Sequence, residues 1–509
     1  MRVIVIGLDG AAFELIEPWI REGELPTIKK LISKGCSANL ESCLPPVTSP
    51  NWKCYSTGKN PGKLGIFWWE NIDLKNRRIT FPYSRINKSK EIWDYLSESG
   101  KKVGIINMPL TYPPKKVNGF MISDGFGKNR NFTYPKELEN KLKKRYNYKI
   151  HPELLPFIEE RSEEAVKEIL EIISMRFTVA KELLNEYDLD FLHLTIFHIN
   201  TLHHYFWNGK FTKQAWKLID RNIRYFVKED CDLFIMSDHG SNPIKQVFYI
   251  NSWLAKEGYL KFNRKVELCN LLYQLGITKQ HLAKIAKRLR IEPLLRRFIS
   301  MEKLGFLPSE AGTIDMSGKT DLIDWNRTLA IASGQGPVYI NLNSKDKEKI
   351  REELIIKLES LRNPLTGEKI AKKVYRKEEI YSGEFLSEAP DLIIDQSSGT
   401  HIRGGIDVSK KRIFEEPKKW MAENKRYGIF IAHGLDIKRG VRLEKVSILD
   451  LAPTILHMMN VPIPSDMDGR VLVEIFESNS EPAKREVRYQ DKTQIERDRI
   501  RRAIKKLRG

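Results

Sequence analysis

The chain has 509 residues, of which 41% are hydrophobic and 10% aromatic, which predicts a folded globular protein with a large core and excludes a disordered chain. Its formal net charge of +20 favours anionic partners, namely phosphorylated metabolites, nucleic acid or an acidic membrane surface, although a charge-rich solvated surface explains it equally well. No apolar run reaches about 18 residues, so no membrane span is predicted, and five cysteines without CxxC spacing predict a reducing, cytoplasmic location.

Short apolar runs along the chain predict buried strands, and amphipathic stretches between them predict helices. The clearest helix is predicted over residues 163–184, with Ser162 as its N-cap and acidic residues in its first turn. The predicted strands cover residues 3–8, 103–107, 189–197, 233–237, 392–394 and 428–432. Strands that alternate with helices in this way predict an α/β fold around a mainly parallel sheet.

Changes in composition along the chain predict its domain organisation. Residues 263–320 are rich in basic amphipathic helical stretches, which predicts a helical insertion or cap between a first core segment, 1–262, and a second, 321–476. Residues 477–509 predict a basic C-terminal helix that docks on the core, with a nucleic-acid-binding arm as the less favoured alternative.

Polar side chains follow three of the predicted strands at the point where each strand ends. Asp9 follows the first, Asn200 and His204 follow the strand over 189–197, and Asp238 and His239 follow the strand over 233–237. A helix that begins near residue 201 would place Asn200 and His204 one turn apart on the same face. Because ligands gather at the carboxyl ends of parallel strands, this pattern predicts a cation site.

Three motifs carry the chemistry. In "IMSDHGS" and "IVIGLDG", carboxylates and an imidazole suit Zn²⁺ or a similar cation, although a buried Asp–His pair also occurs as a purely structural hydrogen bond. In "PPVTSPNWKCYSTGKNPGKLG", the hydroxyl of Thr48 becomes a good nucleophile if a metal binds its oxygen. The structural alternative is a helix cap at Thr48 or Ser49, and a helix N-terminus also favours phosphate.

Taken in order, "VIGLDG", "PPVTSPNW", "TGKNPGKLGI", "HINTLHHYFW", "SDHG", "IDWNRTLA", "EAPDLII" and "ILDLAPTILHMMNVPIPSDMDGRVL" resemble the type I phosphodiesterase/nucleotide pyrophosphatase branch of the alkaline phosphatase superfamily. The resemblance covers about residues 1–475 apart from the helical insertion. It implies an α/β/α sandwich, two divalent metal ions that are usually zinc, with Mn, Co or Mg as alternatives, and a phospho-enzyme on a Thr or Ser nucleophile.

Carried over by position, the resemblance makes Thr48 the nucleophile, and Asp9, Thr48, Asp238 and His239 the ligands of the metal that activates it. The second metal site departs from the family pattern, because Asn200 replaces an acid before the retained His204. Further departures are Asn424 in place of a histidine and Leu64 in place of the histidine in the family's usual "KHG".

Other side chains are candidates to complete or support the site. His401 is the favoured substitute ligand at the second metal, whereas His198, His203 and His433 are predicted to be structural or to lie at the surface. Asn51 and Trp69 are predicted to contact the substrate, with Trp69 at the position where phosphodiesterases of this branch offer an asparagine to a phosphate oxygen.

These residues predict a metal-dependent phosphodiesterase or nucleotide pyrophosphatase that acts on an anionic phosphoester or nucleotide. The alternative is a catalytically degenerate relative that retains one metal and binds a phosphorylated ligand. The sulfatase branch is disfavoured because residues 43–47, "CLPPV", lack its arginine, and the superfamily's phosphoglycerate mutases use a serine nucleophile. A pure nucleic-acid binder would leave Asp9, Thr48 and "SDHG" unexplained.

Overall fold

The fold is taken from a computed structural model of the chain. It describes residues 2–81, 89–124, 129–228, 230–288, 307–309, 312–314, 316–341, 344–409 and 411–491. The chain forms two compact units: a first of Met1–Leu64, Tyr83–Pro243 and Lys419–Gly509, and a second of Gly65–Pro82 and Ile244–Lys418.

The strands are short, and most of them are built from apolar and β-branched residues. In chain order they are β1 (Arg2–Leu8), β2 (Cys36–Glu41), β3 (Asn71–Asp73), β4 (Arg78–Thr80), β5 (Val103–Met108), β6 (Gly119–Ser123), β7 (Thr133–Tyr134), β8 (Phe191–Ile196), β9 (Cys231–Met236), β10 (Gly240–Pro243), β11 (Gln246–Tyr249), β12 (Thr313–Ile314), β13 (Ala330–Ala332), β14 (Pro337–Ile340), β15 (Ala371–Arg376), β16 (Leu392–Gln396), β17 (Thr400–Arg403), β18 (Ile406–Asp407), β19 (Phe414–Glu415), β20 (Ala422–Lys425), β21 (Tyr427–His433), β22 (Val441–Ser447), β23 (Ile463–Pro464) and β24 (Tyr489–Gln490).

The α-helices alternate with strands through most of the chain. They are α1 (Phe13–Arg21), α2 (Pro26–Lys34), α3 (Thr48–Thr57), α4 (Pro61–Leu64), α5 (Ile92–Glu98), α6 (Glu137–Tyr146), α7 (Ser162–Glu186), α8 (His198–Phe206), α9 (Lys210–Ile223), α10 (Ile250–Lys256), α11 (Lys265–Gln274), α12 (Lys279–Arg288), α13 (Ser344–Ser360), α14 (Lys377–Ile380), α15 (Leu451–Met458) and α16 (Glu481–Lys484). Short 3-10 helices cover Leu155–Phe157, Arg224–Phe226, Met316–Leu322, Ile448–Asp450 and Val473–Ile475. Within the described part of the chain, no helix is both long enough and apolar enough to cross a bilayer.

The first unit is built on a nine-stranded sheet in the order β22-β2-β21-β9-β1-β8-β5-β6-β7. The central strands β9, β1, β8, β5 and β6 run parallel, whereas β21 is antiparallel to both its neighbours and β7 is antiparallel to β6. These central strands are almost wholly buried because helices cover the sheet, as expected for near-continuous apolar runs. The predicted α/β fold around a mainly parallel sheet is confirmed.

Helix α7 confirms the predicted helix and corrects its start. Its apolar positions are buried in the core of the first unit, among them Ile169, Ile173 and Phe177. Ser162 is the first residue of the helix rather than its N-cap, which is Arg161. The Ser162 hydroxyl donates instead to the carbonyl of Ile158 at 2.8 Å, because the preceding chain already turns in a 3-10 helix.

Two buried cations of the first unit differ in their partners. The Lys53 ammonium pairs with the buried Glu91 carboxylate at 2.8 Å, and Lys115 also pairs with Glu91 at 2.7 Å. Arg176 donates from Nη2 to the carbonyl of Ile150, but among the described residues its buried Nε and Nη1 have no hydrogen-bond partner. The Lys53 charge is therefore compensated, and the Arg176 charge is not.

The second unit contains smaller sheets, including a four-stranded antiparallel one in the order β13-β14-β16-β15. The predicted strand over 392–394 is therefore real but belongs to this sheet and not to the large one. Helices α11 and α12 fall in the predicted insertion over 263–320, and β12 near its end pairs with β18. Residues 289–306 of that segment lie outside the described residues, and the predicted cap stays a prediction.

The end of the chain belongs to the first unit. Residues 481–484 form the four-residue helix α16, and the following segment is extended and includes β24, which pairs with β23. Residues 492–509, which carry most of the predicted basic helix, lie outside the described residues.

Candidate functional site

The candidate site lies at the carboxyl edge of the large sheet, where neighbouring parallel strands end. Strand β1 pairs with β9 in a register that opposes Gly7 to Met236, so Asp9 and Asp238 leave the sheet side by side. Ligand atoms of Asp9, Asp238 and His239 all lie within 4.8 Å of one another, and the three residues are fully buried. This is the group that the strand-end pattern predicted.

Thr48 joins this group from the first turn of α3. Its hydroxyl donates to His239 Nε2, which lies 3.1 Å from Oγ1. Because Thr48 is the first helical residue, the positive end of the helix faces the same space. The site therefore combines a buried hydroxyl, an imidazole and two carboxylates at a helix N-terminus.

The orientation of the His239 ring is fixed by its own backbone neighbour. Nδ1 lies 2.9 Å from the carbonyl of Gly240 and donates to it, which leaves the lone pair of Nε2 directed at Thr48 and the carboxylates. Burial lowers the pKa of His239, so the ring is neutral in the metal-free protein. A neutral imidazole with one nitrogen held by a carbonyl is the form in which histidine binds metals.

Without a cation, it is energetically unfavourable for the carboxylates of Asp9 and Asp238 to be buried and ionised side by side. Burial and then the charge of Asp238 raise the pKa of Asp9 well above its usual range. Burial also raises the pKa of Asp238 to about 7. Among the described residues, Asp9 Oδ1 and Asp238 Oδ2 are buried without any hydrogen-bond partner. Two buried carboxylates with unsatisfied oxygens, one imidazole and one hydroxyl fit a divalent cation such as Zn²⁺.

Trp52 is a supporting residue that motif reasoning missed. Its Nε1 donates to Asp9 Oδ2 at 3.0 Å, so that Oδ1 remains the oxygen without a partner. Its ring packs so closely on β1 that a Cβ at Gly7 would lie 2.4 Å from Trp52 Cη2. Since Thr48 and Trp52 are four residues apart on one helix, the helical spacing within "TSPNW" was the available signal.

Asn200 lies beside the first group of ligands. Its side chain lies next to Asp9, and its Oδ1 is 3.2 Å from Ser241 Oγ, which donates to the carbonyl of Gly10 at 2.7 Å. Gly10 has a φ of +66°, and a Cβ there would come within 2.2 Å of Asn200 Oδ1. Asn200 therefore packs against the turn that carries Asp9. Ser241, the residue after "SDHG", is a second supporting side chain that the motif did not reveal.

The adjacent histidines of α8 have different partners. The helix begins at residue 198, three residues earlier than predicted, and holds Asn200 and His204 four residues apart. His204 Nδ1 donates to the carbonyl of Ala422 at 2.8 Å, which leaves the lone pair on Nε2, and its ring stacks on Trp420. His203 is buried and accepts from Trp216 Nε1 at 3.1 Å. The structural role predicted for His203 agrees with this geometry.

The second departure from the family pattern lies beside the first. Asn424 of β20 is the register partner of Ser241 of β10, the same serine whose hydroxyl approaches Asn200. Asn424 thus lies across the β10–β20 ladder from the serine that approaches Asn200. Leu64, the third departure, is a buried apolar residue at the end of α4.

The structure places Asn51 differently from the prediction. Its Nδ2 donates to the carbonyls of Cys43, Pro45 and Val47 at 3.0–3.1 Å, and its Oδ1 accepts from the Cys43 amide. No amide hydrogen is left for a phosphate oxygen. These hydrogen bonds hold the loop that leads into Thr48, and the predicted contact of Asn51 with substrate stays a prediction.

The remaining candidates lie on other elements. His198 is buried next to the carbonyl of Ile150, and His433 is half-buried at the end of β21. His401 lies on β17 of the second unit, opposite Val247, and its predicted role as a ligand stays a prediction. Trp69, also in the second unit and half-buried, likewise keeps its role in substrate binding only as a prediction.

The fold and the buried group together define an α/β protein with a candidate metal site at the carboxyl edge of its large sheet. The chain belongs to the type I phosphodiesterase/nucleotide pyrophosphatase family, whose model matches residues 3–436. This family consists of phosphoric ester hydrolases that depend on divalent metals, so the protein is a metal-dependent phosphohydrolase. A comparison with curated proteins gives no significant match.

Solved structures with a similar fold cover nearly the whole chain. Phosphonoacetate hydrolase from Sinorhizobium meliloti 1021, in complex with phosphonoformate, has a TM-score of 0.56 at 13% identity over 89% of this chain and 94% of that one. Human ectonucleotide pyrophosphatase/phosphodiesterase 5 has a TM-score of 0.51 at 14% identity over 94% and 100%. An inactive variant of the murine protein, in complex with AMP, has a TM-score of 0.50 at 12% identity over the same shares.

Proposed function

We propose that the protein is a phosphodiesterase or nucleotide pyrophosphatase that acts through a phosphothreonine at Thr48. The observation that carries this proposal is the position of Thr48 Oγ1 at a helix N-terminus, 3.1 Å from the Nε2 of His239, which in turn lies 3.2 Å from Asp238 Oδ2. Few structural roles would need a buried threonine hydroxyl near two carboxylates that each have, among the described residues, one buried oxygen without a hydrogen-bond partner.

Asp9, Asp238 and His239, with Thr48, are the residues that would hold a divalent cation, for which Zn²⁺ is our first choice and Mn²⁺, Co²⁺ or Mg²⁺ are alternatives. When bound, such a cation lowers the pKa of the hydroxyl and screens the charge on the phosphoryl oxygens. Trp52 keeps one oxygen of Asp9 occupied, so the other points into the site. The carbonyl of Gly240 keeps the His239 ring in place.

In the reaction proposed, a bond forms between Thr48 Oγ1 and phosphorus as the bond from phosphorus to the leaving oxygen breaks. The N-terminus of α3 offers backbone N–H groups and a positive dipole end to the phosphoryl oxygens. Water then attacks the phosphorus, the bond from phosphorus to Thr48 Oγ1 breaks, and one proton of the water restores the hydroxyl while the phosphoryl group leaves with its remaining ester group. The net charge of +20 and the anionic ligands of the structural relatives support an anionic phosphoester as substrate.

The test uses chelator-stripped protein reloaded with one of the four metals. A diester, bis(p-nitrophenyl) phosphate, and a monoester, p-nitrophenyl phosphate, are assayed side by side. We expect faster hydrolysis of the diester, its loss in Thr48→Ala, and its partial retention in the matched variant Thr48→Ser. Protein acid-quenched during turnover of the diester should carry a p-nitrophenylphosphoryl group on Thr48 by mass spectrometry, and protein quenched with the monoester should carry a phosphoryl group there. Turnover in Thr48→Ala equal to wild type would overturn the proposal.

The second candidate is a catalytically degenerate relative that binds a phosphorylated ligand with one metal. It is favoured by Asn200, whose neutral amide contacts Asp9 and Ser241, so a second cation at His204 would be held only weakly. Metal-dependent binding of AMP without hydrolysis in wild type, together with activity created by Asn200→Asp and Asn424→His, would establish this candidate. Activity in wild type that needs high metal concentrations and strengthens in Asn200→Asp would establish the first.

A further inference from the structure

Helices α11 and α12 of the second unit expose an unusual amount of apolar surface. Leu268, Leu271 and Leu275 are 55%, 51% and 64% exposed, and Leu282 and Ile285 are also exposed. Five of the eleven exposed large hydrophobic side chains of the described residues fall in this short stretch. Scattered exposed leucines are ordinary, but a concentration of this kind marks an interaction surface.

The spacing of the leucines shows that the α11 part of this surface is one face of a helix. Leu268, Leu271 and Leu275 recur at intervals of three and four residues, so the first two share a side of α11 with Leu275, the C-cap that follows its last residue. The other side of α11 buries Val266 and Cys269 in the core of the second unit. The core therefore already holds α11 through one face, and folding does not account for the leucines on the other.

The charge of the same segment indicates which kind of partner covers it. Residues 264–288 contain six basic residues and one acidic residue, Glu267, which gives a net charge of +5. Arg264, Lys265, Lys284 and Arg288 are exposed. A second copy of this strongly basic chain would be repelled, whereas an anionic surface would be attracted.

The types of apolar side chain on this surface favour a lipid surface over a protein as the partner. All five exposed members are aliphatic, whereas the residues that dominate protein–protein interfaces are Trp, Tyr and Arg, and leucine is under-represented. Leucines on one face with lysines and arginines nearby are typical of helices that lie in the interfacial region of a bilayer.

We propose that α11 and α12 dock this protein on the surface of a membrane that contains anionic phospholipids. The aliphatic side chains enter the boundary between headgroups and acyl chains, and the basic side chains contact lipid phosphates. This attachment is peripheral and goes beyond the phosphoester chemistry proposed for the first unit.

The experiment is sedimentation of the full-length protein with vesicles of phosphatidylcholine alone or with about 30% phosphatidylglycerol. We expect binding to the anionic vesicles that weakens at about 0.5 M NaCl, and little binding to the neutral ones. The variant Leu271→Ser/Leu275→Ser should reduce partitioning by about tenfold or more. Its thermal unfolding midpoint should match wild type, because both side chains are exposed.

The matched control is Ile356→Ser/Leu365→Ser, which removes two even more exposed aliphatic side chains of the same unit outside the two helices. It should bind anionic vesicles like wild type. Equal binding of wild type to both kinds of vesicle, no binding to either, or unchanged binding of the Leu271/Leu275 variant would each overturn the proposal. So would a wild-type dimer, seen by light scattering, that the leucine variant dissociates, because a second copy would then cover the face.

Discussion

Replacing Asp238 by asparagine tests whether the buried carboxylates exist to hold a cation. In the metal-free protein, burial raises the pKa of Asp238 from 3.8 to about 7, so the folded state binds its proton more tightly than the unfolded state does. The stability of the metal-free protein should therefore fall as the pH rises from about 4 to about 7. Asparagine has no charge to bury, and its Oδ1 can still accept from the Gly10 amide.

The size of the effect follows from the pKa. A rise from 3.8 to about 7 corresponds to about 4 kcal/mol of destabilisation of the metal-free wild type at pH 8, at about 1.4 kcal/mol per pH unit. At pH 8, metal-free Asp238→Asn should therefore unfold at a temperature several degrees higher than metal-free wild type. At pH 4, the two proteins should unfold at nearly the same temperature. Adding Zn²⁺ or Mn²⁺ should stabilise wild type and leave the variant unchanged.

Asp232→Asn is the matched control, because Asp232 lies on the same strand β9. It is also buried, and burial followed by the charge of Asp436 raises its pKa to about 7. It should change the pH dependence of stability without changing the response to metal. A metal response in Asp238→Asn equal to that of wild type, by differential scanning calorimetry, would refute the assignment of Asp238 as a ligand.

Three further predictions test neighbouring parts of the first unit. Trp52→Phe removes the donor to Asp9 and should weaken metal affinity by about 10- to 100-fold, measured by chelator competition, and an unchanged affinity would contradict its supporting role. Arg176→Met removes an uncompensated buried charge, so the free energy of unfolding in urea should stay unchanged or rise by about 1–3 kcal/mol. A clear fall in this free energy would show that the Arg176 charge is compensated. Lys53→Met leaves the Glu91 carboxylate with one ion-pair partner fewer and should cost about 3 kcal/mol, and a neutral outcome would mean that the pair contributes little.

The convergence of Asp9 and Asp238 was predictable because parallel strands that pair in register must end at one edge of the sheet. The hydrogen-bond partners of the side chains that surround these carboxylates were not predictable. Helical spacing places Asn200 and His204 on one face, but only the packed structure shows that Asn200 contacts Ser241 and Asp9. These contacts depend on the close approach of α8 to the turn at Gly10, which no local pattern encodes.

The sheet to which a strand belongs and the residue at which a helix begins were also not predictable from local patterns. The apolar run over 392–394 forms a strand as predicted, but nothing in its composition tells the large sheet from the antiparallel sheet it joins. Ser162 has a side chain suited to an N-cap, yet the preceding 3-10 helix draws its hydroxyl back to Ile158. The periodicity of apolar residues therefore identified the helices and strands. Their boundaries and neighbours depended on which hydrogen-bond and strand partners the folded chain offered.

The pairing of β10 with β20 has a consequence for how this chain can vary. The long excursion over 244–418 leaves the first unit just after β10, and the chain returns just before β20, so the ladder joins its two ends next to the buried ligands. Once such ends are joined, doubling the length of a flexible excursion costs only about 0.6 kcal/mol of closure entropy. Segments inserted or removed between residues 244 and 418 can therefore accumulate while the ladder keeps Ser241 and Asn424 in register, so the hydrolase can acquire new surfaces without rebuilding its catalytic edge.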